Sequence, residues 1–141
     1  MHWMLLPFRR YAEFTGRSRP KEYWLFVLFY LVAFTLLTMI DFLLGFGATS
    51  SSTVSAPGSF WGEWVYAGGG GPLTLLFMLA TLVPSIAVTV RRLHDSDRSG
   101  WWILIALIPF VGFIVLLIFM ILGGTHGPNR FGADPVEQPA V

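Results

Sequence analysis

Three long apolar runs, separated by short polar stretches, set the pattern of this chain. A helix needs about 20 consecutive apolar residues to cross a hydrocarbon core of roughly 30 Å, because lipid offers its backbone no hydrogen-bonding partner. Residues 23–44 meet that length with Asp41 as their sole charge, and residues 72–90 and 101–122 meet it with none. The pattern predicts an all-α membrane protein of about three transmembrane helices, in a single membrane domain over residues 1–135 with a flexible tail at 136–141.

The connections are equally legible. Within residues 1–21 the sequence predicts a short amphipathic helix lying on the headgroups, interrupted by Pro7, with a turn at Gly16. Met1–Phe8 is short and precedes Arg9 and Arg10, unlike a cleavable signal peptide, so the N-terminus is expected to be retained. Residues 45–71 are rich in Gly, Ser and Thr and hold no Lys or Arg, which reads as an exposed loop; Phe60, Trp61, Trp64, Val65 and Tyr66 suggest a turn dipping into the interface. Pro72 suits the first turn of the second span, where its missing N–H is unpaired anyway. After Leu122 the residues are turn formers that cannot continue a helix.

The third run carries Pro109 and Gly112 near its middle, so two topologies stand. In the preferred one it crosses as a kinked helix and the tail lies opposite the loop 91–100. In the other, Trp101–Ile108 and Phe113–Leu122 form a re-entrant hairpin and the tail returns. Crossing is preferred because a hairpin breaks the backbone at mid-bilayer, where it needs shielding by other protein.

Composition supports this class. Of 141 residues, 55% are hydrophobic and 12% charged, against about 45–50% apolar and about 25% charged in an ordinary soluble domain. A water-soluble domain is thereby excluded. The absence of Cys rules out disulfides, Cys-ligated zinc, iron–sulfur clusters and a thiol nucleophile. A net charge of +1 gives no sign of a nucleic-acid partner; the distribution of charge matters more. In the crossing topology eight of nine basic residues share the face of residues 1–22 and 91–100, with only Arg130 opposite, which places the N-terminus in the cytoplasm.

Candidate chemistry concentrates in the cytoplasmic loop, where residues 91–98 hold six ionisable side chains. One reading is a topology determinant whose charges neutralise each other, with Arg91 pairing Asp95 at i,i+4. Another joins Arg91, Arg92, His94, Asp95 and Arg98 to Arg17, Arg19 and Lys21 as a basic rim that binds anionic lipid headgroups or a partner, since arginine grips phosphate in bidentate geometry. His94 beside Asp95 invites a catalytic or metal role. A metal site wants three or four ligands, however, and His126 lies across the membrane in the crossing topology, so no metal or cofactor is expected. In the hairpin topology His126, Asn129, Arg130 and Asp134 could join the cluster. Asp41, about 27 Å beyond Tyr23, reads as a helix-end carboxylate in water. Thr81, Ser85 and Thr89 form a small, weakly polar stripe that predicts a helix-packing face for self-association or attachment to a larger membrane complex, with a pore lining as the alternative.

Four blocks in order carry a resemblance: Phe14-Thr-Gly-Arg17-Ser-Arg19-Pro-Lys-Glu22-Tyr23-Trp24, Val90-Arg91-Arg92-Leu93-His94-Asp95-Ser-Asp-Arg98-Ser99-Gly100-Trp101-Trp102, Ile108-Pro109-Phe-Val-Gly112, and Gly127-Pro-Asn129-Arg130-Phe131-Gly132-Ala-Asp134-Pro135. Together they resemble the signature blocks of the bacterial inner-membrane family known as domain of unknown function 805. The resemblance implies an inner-membrane location and brings no activity, cofactor or catalytic residue. The expected function is that of a non-enzymatic interaction or scaffold protein. A small oligomeric channel or transporter, and a membrane enzyme using His94 and Asp95, are the alternatives.

Overall fold

The structure, a computed structural model, describes residues 2–46 and 71–136. The expected loop turn at 60–66 and the last residues of the tail lie outside them. Helix α1 spans His2–Arg9, α2 Pro20–Leu43 and α3 Pro72–Asp95; a 3₁₀ helix follows at Gly100–Leu107, then α4 at Val111–Ile121. Among the described residues no strand forms, and the Asn129–Gly132 bridge only closes a turn. Pro7 sits inside α1 without interrupting it, and helical bonding runs on to Arg10 N–H and the Leu6 carbonyl at 3.0 Å. In so short a helix one missing donor removes a single bond.

At 24 residues each, α2 and α3 reach about 36 Å, more than a hydrocarbon core requires. Their apolar side chains face outward: Leu31, Leu36, Met39 and Phe42 of α2 and Leu75, Leu76, Leu79 and Leu82 of α3 are all exposed. Water would not tolerate that surface, whereas lipid welcomes it.

The chain divides into two compact units. In the unit Phe29–Leu82, the rings of Tyr30 and Phe77 lie 5.4 Å apart and the hydroxyls of Thr38 and Thr74 3.4 Å apart. Asp41 is fully buried here, which corrects the expectation of a carboxylate in water. Its Oδ2 accepts from the Thr74 N–H at 2.8 Å and hydroxyl at 2.7 Å, and its Oδ1 from the Leu73 N–H at 3.3 Å. One helix thus supplies the N-terminal cap of the next, satisfying donors that have no partner within their own helix. Gly71 permits the approach, since a Cβ there would lie 2.9 Å from the Asp41 carboxyl carbon. Thr81 is also buried, its hydroxyl donating to the Phe77 carbonyl at 2.7 Å.

The second unit joins residues up to Leu28 with those from Val83 onward. Phe26, Ala87, Val88 and Leu93 are its buried apolar centre. Ser85 and Thr89 are half-buried, and the Thr89 hydroxyl turns back to the Ser85 carbonyl at 2.7 Å.

The third apolar run departs most from the preferred reading, because it does not form one crossing helix. Proline disfavours helical backbone in the residue before it, and Ile108, ahead of Pro109, is extended at φ −86°, ψ 111° and ends the 3₁₀ helix. Phe110 then takes φ +61° and α4 begins. A Cβ on Gly112 would collide with the Ile105 carbonyl, so the two arms close tightly at this glycine. The result is a hairpin, and the chain leaving it returns to Asp95, whose carbonyl accepts the Thr125 N–H at 2.9 Å. The tail therefore meets the loop that precedes the run.

Replacing Asp41 with Ala should strand the first donors of α3 and cost about 1–3 kcal/mol. Chemical unfolding in a mild detergent measures this, and a wild-type midpoint would refute the cap.

Candidate functional site

The polar residues gather where α3 ends. Arg98 N–H bonds to the Leu93 carbonyl at 2.9 Å and Asp97 N–H to the His94 carbonyl at 3.0 Å, a Schellman cap with Asp97 at φ +56° where glycine is usual. This cap keeps α3 helical through Asp95, so Arg92 and Asp95 stand at i,i+3.

Asp95 is the hub. It is 2% exposed, with Oδ1 accepting from Arg17 Nε at 3.0 Å and Oδ2 from Arg92 Nη1. Arg17 also donates to the Gly127 carbonyl at 2.6 Å and to the Thr125 carbonyl. Arg92 reaches the Met120 carbonyl at 3.4 Å and the Leu122 carbonyl, placing a cation at the C-terminal end of α4, where the helix dipole favours it. Gly124 passes so close to the Asp95 carboxylate that a Cβ could not fit.

Arg91 does not pair with Asp95 as expected; its Nη1 lies 3.3 Å from Glu22 Oε1, and both residues are buried. Its backbone carbonyl accepts the Ser18 N–H at 3.1 Å. His94 sets Nδ1 3.2 Å from the Gly16 carbonyl and stacks on Phe131 with centroids 3.9 Å apart. Asn129 Nδ2 donates to the His94 carbonyl at 2.9 Å, and the exposed Arg130 pairs with Asp97 at 3.1 Å.

Of the residues expected to form an exposed basic rim, Arg17, Arg91 and Arg92 are instead interior. Arg98 lies with its guanidinium 4.0 Å from the Phe119 ring, Arg19 donates from Nε to the Pro135 carbonyl, and Lys21 is exposed. Arg17 and Arg92 share the Asp95 carboxylate, Arg91 faces Glu22 at 3.3 Å without a hydrogen bond to its guanidinium, and the buried Asp134 carboxylate is held by backbone N–H groups. Such an interior suits clamping three segments of chain together. Both oxygens of the Asp95 carboxylate are taken by guanidinium donors, and His94 is committed on its Nδ1 and on one ring face.

Sequence reasoning did not single out Glu22, Gly124 or Thr125. Asn129, Arg130 and Asp134 do join the cluster, as the hairpin topology allowed, whereas His126 is exposed. Asp134 accepts from the Val136 N–H at 2.8 Å and the Gly127 N–H at 3.0 Å. These backbone donors hold its carboxyl below the usual carboxylate range.

The sequence profile of the family described as Protein of unknown function (DUF805) matches residues 11–133. The chain belongs to the DUF805 family. The inner membrane protein YhaH of Escherichia coli K12 is 40% identical over 139 residues, covering 99% of this chain and 100% of that protein. The inner membrane protein YhaI of the same strain is 38% identical over 135 residues, covering 96% of each. No solved structure matches. With these relatives and two long, outwardly apolar helices, this DUF805 member is an integral inner-membrane protein. All of the cluster except Asp134 and its neighbours falls within the matched residues.

Two outcomes follow for the clamp. Glu22→Leu alone should strand the Arg91 guanidinium and cost about 3–5 kcal/mol, while Glu22→Leu with Arg91→Met should recover most of it. Unfolding curves in mild detergent compare the two, and a double variant as unstable as the single would count against the pair. Because Asp134 titrates below its ordinary range in the folded chain, its contribution is present above about pH 4 and lost as pH falls through the lowered value. Asp134→Asn should therefore flatten stability against pH on the acid side and leave the neutral side level.

Proposed function

We propose that this protein is a non-enzymatic interaction protein of the inner membrane, crossing it twice, with both described ends in the cytoplasm, and that its cytoplasmic surface gathers anionic lipid headgroups. The observation that carries the reading is the return of the tail to the loop at Asp95. That return supports a layout in which all nine Lys and Arg residues share one side, since residues 47–70 contain none. Such complete asymmetry fits the preference of Lys and Arg for the cytoplasmic side.

The clamp narrows which cations serve the lipid. Charges neutralised inside the protein attract nothing outside it, so Arg17, Arg91 and Arg92 drop out of the rim. Arg9 and Lys21 are exposed and Arg98 is half-exposed. Each basic residue near an anionic surface contributes about 1 kcal/mol. Self-association through the hydroxyl stripe would have to use Ser85 and Thr89, since Thr81 is enclosed within its own chain.

Two measurements test the reading. Native mass spectrometry after gentle extraction should show retained phosphatidylglycerol that falls sharply in Arg9→Gln/Lys21→Gln/Arg98→Gln; equal lipid in a folded variant would defeat the lipid role. A Cys at the exposed Ala133 should resist an impermeant maleimide in intact cells and react after permeabilisation. Labelling in intact cells would overturn the two-crossing topology.

A further inference from the structure

We infer that the 3₁₀ helix and α4 form a wedge seated among the acyl chains of a single leaflet, the one beside the arginine clamp, with Phe110 at the bilayer midplane. The inference rests on the two-crossing reading, and four observations support it. Both feet of the hairpin are fixed on the polar side: Ser99 caps the 3₁₀ helix two residues after the α3 cap, and Arg92 and Asp95 hold Met120, Leu122 and Thr125.

Reach is the second. Eight residues of 3₁₀ helix at about 2.0 Å each and eleven of α-helix at about 1.5 Å each both give roughly 16 Å, half of a 30 Å core. The arms match each other and neither is long enough to cross.

The third is where the apolar surface lies. The 3₁₀ arm has no buried residue, Leu107 and Phe110 at the tip are 80% and 85% exposed, and no charged residue occurs between Trp101 and Leu122. Side chains apolar around the whole circumference fit hydrocarbon on every side.

The fourth answers the cost of a backbone break in lipid. Pro109 has no N–H to satisfy, Ile108 N–H bonds to the Ile105 carbonyl at 2.9 Å, Val111 N–H to the Pro109 carbonyl at 2.7 Å, and Gly112 N–H to the Ile108 carbonyl at 2.9 Å. Ile114 N–H takes the Phe110 carbonyl at 3.1 Å. These four N–H groups thus bond within the chain, where lipid offers no partner. Trp101 and Trp102 stand at the foot, the depth at which indole rings collect.

The chain has no native Cys, so single-Cys nitroxide labelling is clean. Labels at Trp102→Cys, Phe110→Cys and Leu122→Cys, in vesicles of phosphatidylethanolamine and phosphatidylglycerol, report depth by accessibility to oxygen against a nickel chelate. The oxygen-to-nickel ratio should be several-fold higher at residue 110 than at either foot, and Val111→Cys provides the same reading if the Phe110 variant does not fold. A ratio equal at tip and feet, meaning a hairpin lying flat, would overturn the wedge, as would dipolar broadening at 110 from a second copy. Failure of the topology is separable: a Cys at Ala133 labelled in intact cells removes both readings, whereas a protected Ala133 with a shallow tip removes the wedge alone.

Discussion

A carboxylate shared by two guanidiniums decides where the last third of the chain goes. Asp95 accepts from Arg17 on one side and Arg92 on the other, and the same arginines reach the carbonyls of residues 120–127 that close the hairpin. Removing these charges from water is costly, and their attraction offsets that cost only when the remaining donors and acceptors are also satisfied. The backbone carbonyls supplied by the tail meet that requirement. Clamp and tail position are thus one interaction seen from two sides.

A second carboxylate does similar work in the other unit. Asp41, buried against the first turn of α3, meets backbone and hydroxyl donors where Asp95 meets guanidiniums. In both places an ionised group near the end of an apolar helix makes internal bonds to a second segment. Positions that resemble functional charges by their rarity here act as joints.

The sequence alone revealed the two long helices, because uninterrupted apolar length is a strong signal and lipid leaves few alternatives. The arginine-rich loop was recognisable as a concentration of charge. Its burial was not, since a run such as Arg91-Arg92-Leu93-His94-Asp95 reads the same whether its partners are water or Glu22, Arg17 and Thr125. Those partners lie 69, 78 and 30 residues away, and no local pattern encodes such pairings. The fate of the third run turned on Pro109 and Gly112, whose significance depends on whether both feet can be held together. Only the tail contacts to Asp95 answer that, so length and polarity left the crossing and the hairpin both open.

The clamp also orders events during synthesis. Arg17 emerges early, its carboxylate partner some eighty residues later, and the carbonyls that complete its donor set later still. Until residues around 125 leave the ribosome, Arg17 has only Asp95 to hold it, and its donors to Thr125 and Gly127 stay open. Closure is therefore a late event, complete only after α2 and α3 have been made. A chain arrested before that point would carry both long helices complete and an arginine-rich end whose clamp is still open.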